Sequence, residues 1–157
     1  MEISYTIPLK PVTKKNSQRI VVAHGHPHIV QSAAYLRYEE LCGYVLHPRP
    51  VEPFNRPVQV KCLFYMPTRG IVDLTNLLNA IDDILVKYKI LEDDNYKILA
   101  SHDGSRVLYD KENPRTEIYI EYMPDAFDPA TVGKGKRKPR KAAHESEITA
   151  APAERQS

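Results

Sequence analysis

The chain has 157 residues, with 22 Lys and Arg against 20 Asp and Glu and a formal charge of +2. That length suits one domain around one hydrophobic core. No apolar run is long enough to span a bilayer and no basic leader precedes an apolar stretch, so the expected location is the cytoplasm.

Cys42 and Cys62 sit in apolar patterns with no paired CxxC spacing. This argues against a thiolate zinc site and for buried, reduced thiols in a reducing compartment. The charge is unevenly spread. Residues 124–157 hold seven of the basic and five of the acidic residues, which leaves 15 of each in the body. Between Ile3 and Tyr38 there is no acid, while Lys10, Lys14, Lys15, Arg19, Arg37 and three histidines lie there; acids gather instead from Asp73 to Asp94. Cations that hold phosphates beside carboxylates that hold a metal suit a metal-dependent nuclease, although a solvated charged loop fits the same pattern.

Ile3 to Pro8 reads as a first strand, followed by the polar loop Lys14-Lys15-Asn16-Ser17. Arg19 to Val30 reads as a ragged hairpin around Gly25 and Pro27. Its alternating His24, His26 and His28 share one face of an extended strand. Zinc is one use for them, but no further ligand is spaced to complete a site. Ser32 caps a helix to about Leu46, with Ala34, Tyr38, Leu41 and Val45 as the expected buried stripe. The proline-rich stretch 47–57 is a loop. Val58, Val60, Cys62, Phe64 and Met66 alternate as a half-buried strand.

From the N-cap candidate Asp73, residues Leu74, Leu77, Leu78, Ile81, Ile84, Leu85 and Tyr88 fall on one arc of a helix about four turns long. Thr75, Asn76, Asn79, Asp82, Asp83 and Lys87 fall on the other. Glu92-Asp93-Asp94 follows, then a strand around 97–102, a turn at Asp103-Gly104 and a last strand from Thr116 to Tyr122. The expected fold is α+β: two helices on a mixed sheet of four to five strands. The expected folded unit is residues 1–123, with 124–157 a disordered tail whose low hydrophobicity cannot offset the entropy of ordering it. Its basic run, Lys134 to Lys141, suits non-specific phosphate contacts or simple solubility.

The strongest chemical constellation is Asp73 at the helix start with Asp93 and Asp94 after its end. If the strand after Asp94 joins the sheet of strand 58–66, Asp73 and Asp94 approach each other at one sheet edge. Convergent carboxylates suit a hard divalent cation and phosphodiester hydrolysis. From the residues alone a second reading stays open, in which Asp73 only caps its helix and Asp93 and Asp94 are turn acids.

The run Asp73-Leu-Thr75-Asn76-Leu-Leu-Asn79-Ala-Ile-Asp-Asp83, followed by Glu92-Asp93-Asp94, resembles the signature of RusA-type Holliday-junction resolvases. The lysine-rich start, Pro8 to Ser17, is similar to that family's N-terminal pattern. The resemblance spans residues 3–122 and implies a homodimer that cuts branched DNA with magnesium. It implies catalytic roles for Asp73, Asp94 and Asp93, which with Asp83 form the expected metal set. The expected DNA contacts are Lys14, Lys15, Asn16, Arg19, Asn76 and Asn79. Two positions depart from the pattern: Thr75 replaces a second aspartate, and Asn79 replaces a lysine. Both lower the charge available to metal and phosphate. The alternatives are a non-catalytic dimer that binds branched DNA, and a phosphoesterase for small substrates, which leaves the basic half without a role.

Overall fold

The computed structural model describes residues 2–14, 18–125 and 127–129. Lys15, Asn16, Ser17 and the basic run of the tail lie outside the described residues. The chain folds as β1 (Glu2–Ile7), β2 (Gln18–Ala23), β3 (His26–Gln31), α1 (Ala33–Val45), β4 (Val58–Met66), α2 (Leu74–Lys87), β5 (Leu99–Ser101), β6 (Arg106–Tyr109) and β7 (Arg115–Tyr122). Five strands make a mixed sheet in the order β1-β7-β4-β5, with β6 also on β4, and β2 pairs only with β3. The expected α+β class is therefore the observed one.

β4 organises the sheet. Its alternation buries Val58, Val60, Cys62, Phe64 and Met66 on one face. These side chains join Tyr5 and Ile7 of β1, Ile118 and Ile120 of β7, and the apolar sides of both helices in one core. The opposite face is a polar lattice. Arg115 lies 3.6 Å over the Tyr65 ring and Lys61 lies 4.7 Å over Tyr119, and both are directly paired positions of β4 and β7. Such contacts cover aromatic rings without closing that face to water.

α1 starts where the sequence places it: Ser32 Oγ accepts the Tyr35 N–H at 3.1 Å. Its buried side is turned from expectation, with Tyr35, Tyr38, Cys42 and Gly43 inside while Ala34 is exposed and Leu41 and Val45 are half-buried. Two tyrosines and a cysteine bury more apolar surface than the Ala34 phase offers, and the larger area wins. Gly43 marks the close approach of α1 to the end of α2. A Cβ there would stand 2.5 Å from the Tyr88 ring, and the Tyr88 hydroxyl donates to the Glu39 carbonyl.

β5 and β6 are two parts of one interrupted strand beside β4. Only β5 and the turn at Asp103-Gly104 were legible in the sequence; β6 was not. Gln59 faces Ser101 and Leu63 faces Arg106, so one extra residue bulges out between them. Side chains take over the missing ladder there: Cys62 N donates to Ser105 Oγ at 2.9 Å, and His102 Nδ1 donates to the Val60 carbonyl at 2.8 Å. Both cysteines are free and fully buried. Burial pushes the Cys42 thiol up to about 12 and raises Cys62 further.

The hairpin is regular rather than ragged. His24 (φ 52°) and Gly25 (φ 78°) both adopt the left-handed backbone that a two-residue turn of matching twist requires. Among the described residues no helix is long and apolar enough to cross a membrane.

Candidate active site

α2 presents its polar side to a cleft of about 320 Å³ lined by Lys14, Gln18, Asn76, Asn79, Asp83 and Asp94. Asn76, Asn79 and Asp83 recur at helical spacing and so share one side of α2. Lys14 arrives from the loop after β1 and donates to Asp83 Oδ2 at 2.6 Å. Both partners are about one-third exposed, so this pair contributes roughly 0–1 kcal/mol to folding.

Asp94 reaches the cleft because the chain before it is pinned. Phe54 N donates to the Ile90 carbonyl at 2.8 Å, and Glu92 N donates to the Phe54 carbonyl at 3.0 Å. The next residues then form a tight turn, in which Ile98 N and Leu99 N both donate to the Asn95 carbonyl. Partial desolvation, a hydrogen bond with Asp93 and the charges of Asp93 and Asp83 raise the Asp94 carboxyl above its ordinary pKa. Crowded negative charge of this kind favours a cation.

Asp73 and Asp93 are placed differently. Asp73 caps α2, with Oδ1 accepting from Thr75 N at 2.9 Å and Asn76 N at 3.3 Å. Ten residues at about 1.5 Å each put it some 15 Å along the helix axis from Asp83, and it does not line the cleft. Both cap hydrogen bonds go to Oδ1 and neither to Oδ2. Asp93 accepts from Asp94 N and from the Asn95 amide, which hold its carboxyl below the usual range. Arg19 is exposed on β2 beside the cleft residue Gln18. Among the described residues no three Asp, Glu, His or Cys side chains group as a metal site, the hairpin histidines included.

Beneath α2 lies a pair that the sequence reading did not single out. Asp82 was expected on the polar arc, but it is buried, and its Oδ2 lies 3.0 Å from His102 Nε2. A carbonyl and a carboxylate both only accept, so each ring nitrogen of His102 carries a proton. Burial presses the ring towards neutrality, yet the hydrogen bond and charge of Asp82, with the Val60 carbonyl, outweigh it and raise the His102 pKa. Asp82 stays inside because the β5–β6 bulge delivers a cation to it. The pair ties the helix of Asn79 and Asp83 to β4.

A sequence profile described as Endodeoxyribonuclease RusA matches residues 8–121. The chain belongs to the RusA endodeoxyribonuclease family. The RusA match takes in every cleft residue, the Asp82–His102 pair and every strand except β1 and the last residue of β7. No curated protein matches the chain. The donors of the RusA cleft fit a hard divalent ion: two carboxylates and three side-chain amides offer oxygen, and water and substrate would complete an octahedron. Gln18 also lines the cleft and was missed; its position directly after the Lys14–Ser17 loop was the available signal.

Proposed function

We propose that this RusA-family chain is a magnesium-dependent, structure-selective endonuclease that cuts Holliday junctions and other branched DNA in recombination and repair, acting as a homodimer. The observation that carries this reading is the meeting of Asp83 and Asp94 with Lys14, Asn76 and Asn79 in one cleft. Asp94 and Asp83 would hold the ion directly. Asp73 and Asp93 complete the proposed set from outside the cleft, Asp73 capping the turn of the cleft residue Asn76 and Asp93 standing next to Asp94. Bound magnesium polarises a phosphate and acidifies a coordinated water.

The chain's own residues do the rest. Lys14 is positioned to exchange Asp83 for a DNA phosphate, a stronger demand on its charge once a cation sits beside Asp83. Asn76 and Asn79 donate amide hydrogens to phosphate oxygens without neutralising them. Arg19, Lys15 and Asn16 extend the backbone contacts along the acid-free segment. Such contacts carry no branch information, so selectivity for a junction comes from the fixed spacing of two clefts across a dimer.

A second reading, a dimer that binds branched DNA without cutting it, is favoured by the Lys14–Asp83 ion pair and by the neutral Thr75. Incubation with an end-labelled four-way junction and its matched duplex, with and without magnesium, separates the two. Paired incisions near the branch that appear only with magnesium support the nuclease. Retarded but intact junction at every magnesium concentration supports the binding module.

A further inference from the structure

The β2–β3 hairpin stands outside the core, and none of its residues is buried. Its register pairs Ile20 with Ile29 and Val22 with Pro27, while Arg19 faces Val30 and Val21 faces His28. Side chains alternate across a pleated ribbon. One face therefore carries Ile20, Val22, Pro27 and Ile29, with Gln18 and Gln31 at its root and no charged group, and the other carries Arg19, His26 and His28 beside the less exposed Val21 and Val30. Ile20, Val22 and Ile29 are 75%, 69% and 70% exposed. An isolated two-stranded ribbon is at best marginally stable in water, and a contiguous exposed aliphatic surface marks a protein contact.

We propose that this aliphatic face docks on a second copy of the same chain and forms the homodimer contact. The inference rests on the dimer reading above and names its surface. Charge decides between occupants. DNA needs cations, and all of the hairpin's cationic and titratable groups except the turn residue His24 lie on the opposite face. An uncharged aliphatic patch, by contrast, meets its own copy across a two-fold axis without like-charge repulsion.

Area sets how far the contact extends. Six residues per strand at about 3.4 Å, in two strands about 4.8 Å apart, give a face roughly 20 Å by 10 Å. That falls short of the roughly 800 Å² per partner of a stable interface. The hairpin runs directly into α1, whose solvent side exposes Leu36 (48%) and Tyr44 (72%), and the proposed contact takes in this side of α1 as well. The root of the hairpin is Gln18, a cleft residue, so docking by this arm would fix the distance between the two clefts.

Sedimentation equilibrium of the full chain tests this, with Ile20→Glu/Ile29→Glu as the variant and Arg19→Glu as the opposite-face control. The parent and the control should be dimers. The double variant should dissociate at least about 100-fold more readily, because four buried carboxylates would meet across the axis, with an unchanged circular dichroism spectrum. Ile20→Cys, smaller than the parent residue but uncharged and at an exposed position, gives a second measurement that does not depend on the double variant folding. Cys42 and Cys62 are buried and silent, so maleimide should label Cys-substituted position 20 slowly at dimer-forming concentration and quickly on dilution. A monomeric parent overturns both this interface and the homodimer reading. A dimeric parent whose double variant stays dimeric, or whose position-20 thiol reacts equally at all concentrations, overturns the interface alone. A double variant that stays dimeric but loses junction binding assigns the face to DNA, and also overturns it.

Discussion

Replacing His102 with leucine removes the only hydrogen bond that the Asp82 carboxylate makes among the described residues and adds no donor. Asp82 Oδ1 already has no partner among the described residues, and the two side chains are only 23% and 10% exposed. Breaking a buried charge pair costs about 3–5 kcal/mol. Residual solvent at His102 favours the low end, so His102→Leu should cost about 3 kcal/mol, or a midpoint lower by roughly 10 °C for a domain of this size. The pH dependence has a definite sign. The folded-state pKa of His102 is raised above the ordinary value of 6.5, so its contribution is fully present below about pH 6.5 and fades as pH rises through the raised value. Urea denaturation of parent and variant between acidic and alkaline pH should show the gap in stability largest at the acidic end. The double variant Asp82→Leu/His102→Leu should recover much of the loss, because both charges leave the interior together. A gap that is constant with pH, or a cost below about 1 kcal/mol, would refute the ion-pair account of how α2 is held.

The other predictions concern the cleft and the tail. Thr75→Asp should lower the magnesium concentration for half-maximal cutting. It should not harm folding, since the first turn of α2 carries no acid and an acid there stabilises a helix by about 0.3–1 kcal/mol; an unchanged magnesium requirement would show that another acid fills that role. Lys14→Ala/Lys15→Ala should flatten the slope of log affinity against log salt by up to about 2; an unaltered slope would remove both lysines from the DNA contact. Truncation after Met123 should leave the thermal midpoint essentially unchanged and weaken junction and duplex binding by similar factors. A large loss of stability, or of junction binding alone, would contradict the proposed boundary and role of the tail.

The elements that the sequence announces are those whose pattern is set locally. β4 alternates without interruption, and α2 has both an N-cap in Asp73 and an aliphatic stripe, so their types and limits could be read in advance. α1 had the right ends but the wrong phase, because a tyrosine counts as polar or apolar according to the depth of its hydroxyl, which only the packed structure determines. The interrupted β5–β6 strand escaped for a related reason: its ladder is completed by the side chains of His102 and Ser105. In the cleft, the residue types were legible and their grouping was only partly so. Asp94 was expected beside Asp73, at the start of the helix. Phe54 anchors the returning loop, and Asp94 lines a cleft with Asn76, Asn79 and Asp83, while Asp73 caps the turn of Asn76 without lining it. Lys14 and Asp83 lie 69 positions apart, and no local pattern encodes that meeting. Asp82 illustrates the limit of helical arcs, since a carboxylate moves inside once a distant histidine can pair with it.

In the proposed mechanism DNA is cut in the cleft of Asp83 and Asp94. The most direct test measures binding and cutting of one labelled four-way junction by Asp94→Asn in saturating magnesium. Asp94 is exposed and outside the core, so the variant should fold and bind the junction with parental affinity while incision disappears. Cutting at the parental rate by the folded variant would place the chemistry outside this cleft.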